Sequence, residues 1–174
     1  KKNDGIVFNV STSGTETILY SFLGGTDGAN PSVGLVQGAD GNFYGTTASG
    51  GTNLTCVGGP GCGTVFKITP AGTESILYSF LGLPGDGSNP AGLVQGTDGN
   101  FYGTTSGGGP DSDGTIYKIT PSGTETVLYS FSGSADGAYP GGLVQGTDGN
   151  FYGTTAAGGA NNYGTIFKLV ITGQ

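Results

Sequence analysis

The sequence predicts an all-β fold, a β-propeller-like array of four-stranded antiparallel blades, and three observations lead there. The phrase GLVQGTDGNFYGTT runs from Gly92 to Thr105, recurs unchanged from Gly142 to Thr155, and recurs with Ala39 for Thr from Gly34 to Thr47. A second phrase, GT(V/I)(F/Y)K, followed by ITPxGTE and (I/V)LYSF, fills the space between copies, beginning near Gly5, Gly63, Gly114 and Gly164. The period is therefore about 50 residues, within the range of propeller blades, and the first interval is longer because one loop carries an insertion. Thirdly, Phe101-Tyr102, Val65-Phe66 and the run Ile76 to Phe80 place large groups on both sides of a strand, because neighbouring residues alternate faces. A sheet of that kind must be covered on both faces, as a blade is by its two neighbours. A trefoil or a β-solenoid, which also use repeated strands, fits this pattern less well.

Each element follows from local chemistry. Within one period the first strand is Gly92 to Gln95, Asp98-Gly99-Asn100 turns the chain, and the second strand is Phe101 to Thr105. A variable Gly-rich loop leads to the third, Thr115 to Thr120, and Pro121-Ser122-Gly123 turns into the fourth, Glu125 to Phe131. Asp-Gly and Pro-x-Gly supply the backbone angles that short hairpin loops demand. No window spaces apolar residues three and four apart long enough for a helix, and the 39 glycines follow no triplet period that would signal collagen. The chain of 174 residues then reads as one repeat domain: a partial blade at 1–31, repeats at 32–90 and 91–140, and a repeat at 141–174 without its last strand.

The ends differ from the middle. The chain opens on a third strand, Gly5 to Val10, and a fourth, Thr17 to Phe22, and it closes on first, second and third strands, the last from Thr165 to about Ile171. Its N-terminal hairpin is thus expected to complete a blade, either in its own chain or in a neighbouring one. Three blades are fewer than the roughly four to eight of closed propellers. Self-association is expected, as a ring closed by two chains or as a filament that fails to close.

Composition narrows function. The net charge is −7, with five Lys, no Arg and no His, so nucleic acid would meet no basic stripe and no arginine fork. No apolar run approaches the roughly 20 residues of a spanning helix, and Lys1-Lys2-Asn3-Asp4 is expected to lead directly into a strand, without a signal peptide, as in a mature or trimmed form. Cys56 and Cys62 bracket a Gly-Pro loop found in one repeat only; with no His or further Cys for zinc, a loop disulfide is expected, and with it an oxidising, extracellular or cell-surface setting. Two sequons, Asn9-Val10-Ser11 and Asn53-Leu54-Thr55, are present.

Candidate chemistry is sparse. Without His there is no histidine base, and neither Cys has a basic neighbour to activate it. Asp111 and Asp113 are repeat-specific and offer a carboxylate pair for glycoside hydrolysis, against a plain loop role. The same loop, and Gly25-Thr26-Asp27-Gly28, offer part of a calcium shell, against ordinary Asx turns. No metal site and no cofactor is assigned. Asp40, Asp98 and Asp148 share one turn, while Lys67, Lys118 and Lys168 precede a hairpin whose far arm carries Glu16, Glu74 and Glu125 or their like, so Lys–Glu contacts across strands are expected. Asp-Gly-x-x-Pro loops repeat hydrogen-bonding groups at blade spacing; Asn30, Asp86, Asn89, Asp136 and Tyr139 are the candidate ligand-binding residues of a lectin-like alternative, with glycans as its partners.

The phrases GLVQGTDGNFYGTT and GTIFKITPSGTETVLYSF, with the intervening Asp-Gly-x-x-Pro, resemble the Gloeobacter–Verrucomicrobia (GloVer) tandem repeat of bacterial choice-of-anchor proteins. The resemblance implies an exported, surface-associated repeat protein and brings no catalytic residue with it. Together with the unmatched ends, it leads to the expectation of a non-catalytic, extracellular, self-assembling protein, serving in a filament, a surface layer or adhesion, whose partner is another copy.

Overall fold

The computed structural model describes residues 4–31, 33–56 and 59–171. It is all-β. The strands are β1 (Ile6–Val10), β2 (Glu16–Ser21), β3 (Val36–Gln37), β4 (Phe43–Thr47), β5 (Thr64–Ile68), β6 (Glu74–Ser79), β7 (Gly87–Gln95), β8 (Phe101–Gly108), β9 (Thr115–Ile119), β10 (Glu125–Ser130), β11 (Ala138–Gln145), β12 (Phe151–Ala157) and β13 (Ile166–Leu169). One short 3-10 turn, Gly25–Asp27, is the sole helical element among the described residues. Among the described residues every pairing between strands is antiparallel and sequential, giving four sheets: β1-β2, β3-β4-β5-β6, β7-β8-β9-β10 and β11-β12-β13.

The hairpins form where the turn chemistry places them. In Asp98-Gly99-Asn100, Gly99 takes φ 80° and the Asp98 carboxylate accepts from the Asn100 backbone N–H at 3.1 Å, the Asn100 amide at 2.6 Å and the Tyr102 hydroxyl at 2.9 Å. The turn residue thereby holds the tyrosine that its sheet presents to the next one. Gly123, in the other hairpin, has φ 94° and a Cβ there would sit 2.7 Å from the Leu77 carbonyl of the preceding sheet, so glycine both turns the chain and lets two sheets approach.

Two aromatic ladders join the sheets. Tyr44 stacks on Phe101 at 4.0 Å and Tyr102 on Phe151 at 4.1 Å, nearly parallel. Phe22 meets Phe66, Phe80 meets Tyr117 and Phe131 meets Phe167 edge to face, all between centroids about 5 Å apart. At each joint rings of the preceding sheet meet rings of the following one, which is why the phrases that supply those rings recur in every unit. Polar groups add to each joint: Gln95 accepts from the Ala39 N–H at 3.0 Å, Gln145 from the Thr97 N–H at 3.2 Å, and the Thr46 hydroxyl donates to the Ala91 carbonyl at 2.9 Å. Core residues accordingly lie between sheets, where Val65, Phe66, Phe101 and Tyr117 are fully buried.

Two expectations need correction. The Asp-Gly-x-x-Pro segments are strand as well as connection: β7 starts at Gly87 and β11 at Ala138, with a bulge after Pro90 and after Pro140. The lysines do not meet the hairpin glutamates. Lys67 and Lys118 lie opposite Ser75 and Thr126, and Lys168 pairs with the turn carboxylate of Asp148 at 3.0 Å, the one ion pair among the described residues. The glutamates turn instead toward the preceding sheet.

Candidate functional site

Three places in the described chain bring polar or apolar groups together. The first is the carboxyl pair at each of the first two joints. Glu74 lies beside Asp27 and Tyr20, and Glu125 beside Asp86 and Tyr78. Burial lifts both glutamates to about 7, and the neighbouring aspartate charge adds to the rise. Glu74 Oε1 and Glu125 Oε1 are buried with no hydrogen-bond partner among the described residues. The aspartates are fully engaged: Asp86 accepts from the Tyr78 hydroxyl at 3.1 Å, the Leu81 N–H at 2.7 Å and the Gly87 N–H at 2.6 Å. Because the pair occurs at both of the first two joints, it reads as part of blade stacking.

The second place is the flank of the last sheet. In the first two joints the position beside the third strand is filled by β6 and β10. Beside β13, a groove of about 320 Å³ lies open, lined by Tyr129, Phe131 and Asp136 from one side and Ile166 to Leu169 from the other. Asp136 waits there in the role of Asp27 and Asp86, accepting from the Tyr129 hydroxyl at 2.9 Å and the Ser132 hydroxyl at 2.6 Å. No glutamate stands opposite it among the described residues.

The third is a cleft of about 520 Å³ where the insertion loop of the second sheet faces the bulged starts of the next two. The loop is tied by a Cys56–Cys62 disulfide with Cα atoms 5.2 Å apart, as the cysteine spacing predicts. Asn89 and Tyr139, two of the ligand-binding candidates, line this cleft together. Asn89 donates to the Ser106 hydroxyl oxygen at 2.7 Å. Asn30 stands at the equivalent position one joint earlier, donating to Ser49 at 3.4 Å, and does not reach the cleft. Asp86 and Asp136 do not line this cleft; their carboxylates accept from the Tyr78 and Tyr129 hydroxyls and from backbone N–H groups of Leu81 and Ser132. What the sequence did not disclose is that Ser88, Ser106 and Ser112 converge on the same space, since they come from three different segments of the repeat.

Elsewhere the candidate chemistry stays dispersed. Asp27 is occupied by the Tyr20 hydroxyl at 2.6 Å and the Leu23 N–H at 2.7 Å. Asp111 and Asp113 sit in the β8–β9 loop, and no group of three or more metal-ligating side chains occurs among the described residues. Among the described residues no helix is long and apolar enough to cross a membrane.

Solved structures share this architecture. A catalytically inactive virginiamycin B lyase from Staphylococcus aureus with quinupristin is similar over 98% of this chain and 50% of its own, at 18% identity and a TM-score of 0.60. A luciferin-regenerating enzyme is similar over 88% of this chain and 46% of its own, at 15% identity and a TM-score of 0.56. The chain spans about half the length of these proteins, and at such identities the likeness is one of fold: sheets radially stacked as propeller blades. No curated protein matches the chain. A family model described as the Gloeobacter/Verrucomicrobia repeat matches residues 54–174, which take in the insertion loop, the complete β7–β10 sheet and the last sheet. The unit whose aromatic ladders and turns build this fold is that repeat, and the chain belongs to the Gloeobacter/Verrucomicrobia repeat family.

Proposed function

We propose that this chain is a non-catalytic, extracellular building block that joins another copy of itself by accepting a strand. The observation that carries this reading is the groove beside β13. Its walls repeat those that hold β6 and β10, with Phe131 against Phe167 as Phe80 is against Tyr117 and Asp136 placed as Asp86 is. The matching occupant is a strand of the E-T-x-L-Y-S-F kind, which would pair with the edge of β13 and set its glutamate against Asp136. Main-chain hydrogen bonds along such an edge give affinity and the groove gives register. The disulfide supports an oxidising location, and the aspartates consumed by turn and loop hydrogen bonds support a structural role over a catalytic one.

A synthetic peptide with the sequence of residues 124–131, TETVLYSF, tests this. It is expected to bind saturably and to slow amide exchange in β13, while a scrambled peptide does neither. If the ordered peptide fails to bind and the β13 amides exchange as before, the groove does not take that strand and the reading falls.

A further inference from the structure

The cleft beside the disulfide loop is lined by none of the rings of the two aromatic ladders, yet it is better built than a gap between loops. We propose that it is a binding site for a neutral carbohydrate, with Tyr139 as the platform for a sugar ring. The inference stands apart from strand acceptance.

Charge comes first. In a chain of net charge −7, none of the residues lining this cleft is ionisable as a carboxylate or a base. The polar side chains are hydroxyls and amides, those of Asn53, Thr55, Ser88, Asn89, Ser106 and Ser112, with the Tyr139 hydroxyl. Between them stand Leu81, Leu83 and the Tyr139 ring, with Leu83 and Tyr139 about half exposed. Neutral donors and acceptors alternating with exposed apolar surface suit a molecule that has C–H faces and a hydroxyl rim, which is what a sugar ring presents.

Rigidity is the second argument. The wall supplied by Asn53 to Cys56 is closed by the disulfide, and the Asn53 amide donates to the Leu81 carbonyl at 2.6 Å while its oxygen accepts from the Thr55 hydroxyl at 2.7 Å. This loop exists in one repeat only, so the cleft is particular to one joint. A wall fixed in advance lowers the ordering cost of binding.

Tyr139 departs from its counterparts in the other units. The equivalent residues Asn30, Asn89 and Tyr139 all have left-handed backbones, φ 58°, 54° and 56°. Each is held there by its backbone N–H, which donates to the preceding sheet at Asp4, Cys62 and Asp113 respectively. Asparagine tolerates that conformation and tyrosine does so poorly. A strained, half-exposed ring on the rim of a neutral polar cleft, with no hydrogen bond to its hydroxyl among the described residues, points to use of the ring on a ligand.

The test uses the whole chain and, as probes, cellohexaose, laminarihexaose, maltohexaose and xylohexaose, with polygalacturonate as the charged control, read by titration calorimetry. At least one neutral probe is expected to bind saturably and polygalacturonate is not. Tyr139→Asn restores the residue that the other two units carry at this backbone angle. It is expected to melt no lower than the parent while weakening sugar binding about tenfold or more. Tyr163→Ala, which removes a tyrosine exposed elsewhere, should leave binding unchanged. Absence of saturable binding by every neutral probe would overturn the proposal, and so would equal affinity of the parent and Tyr139→Asn. Failure of the strand peptide to bind would not bear on it.

Discussion

The third sheet and the last are built from nearly the same sequence and meet very different surroundings. Ile116 on β9 is 3% exposed, whereas Ile166, its counterpart on β13, is 83% exposed. Tyr102 stacks on a phenylalanine of the next sheet, whereas Tyr152 lies under the Lys168 ammonium, 5.4 Å from its ring centroid. The first hairpin shows the converse, with Phe8 52% exposed where its counterpart Phe66 is fully buried. Burial in this protein is thus a property of the joint and not of the residue. A repeat sequence prepares two sticky faces, and only a neighbour decides whether they are core or surface.

Paired substitutions sharpen that comparison. Phe66→Ala should cost about 3–5 kcal/mol by denaturant unfolding, and Phe8→Ala well under about 1 kcal/mol, because only the first opens a cavity. Next, Ile116→Ala is expected to cost about 2–5 kcal/mol and Ile166→Ala close to nothing in the dissociated chain. If Ile166→Ala instead destabilised as strongly at high protein concentration, that would show its face covered by another copy. Thr104→Val removes a hydroxyl that donates across the joint to the Gly141 carbonyl, for an expected loss of about 1 kcal/mol, while Thr154→Val, at an exposed position, should be neutral.

The smallest expected effect is in the pH dependence, because both glutamates are partly solvated. Glu74 and Glu125 sit near 7 in the folded chain against an ordinary 4.5. Between those values the folded state holds protons that the unfolded chain has released. Their contribution to stability is therefore complete below about pH 4.5 and is lost as pH rises through about 7. The turn aspartates work the other way. Hydrogen bonds from Asn150, Tyr152 and Lys168 hold Asp148 well below 3.8, so its contribution is present above that value and lost on acidification. Melting temperature should peak in mildly acidic buffer, and Glu125→Gln should flatten its fall between about pH 5 and pH 8.

The comparison also marks what a sequence can show. Period, strand order and turns were legible because each is local: Asp98-Gly99-Asn100 carries its own hydrogen bonds, and two cysteines six apart can close on each other. The partners of Glu74 and Glu125 were not legible, because they lie across a joint, in a segment about one repeat period upstream in the same periodic pattern that offered a nearer lysine. The bulges after Pro90 and Pro140 turned presumed loops into strand and carried Asn89 and Tyr139 to one cleft. Asp86 and Asp136 looked equally available in the sequence, yet each is the acceptor its own loop needs. The one sequence signal that set Tyr139 apart was its departure from the asparagine of the other units.

The most direct measurement is molar mass by light scattering across a wide range of protein concentration, with the TETVLYSF peptide present or absent. Strand acceptance predicts a mass that rises above that of one chain as concentration increases and returns to it when the peptide occupies the groove. A mass that stays at one chain up to the highest concentration, with and without peptide, would contradict it.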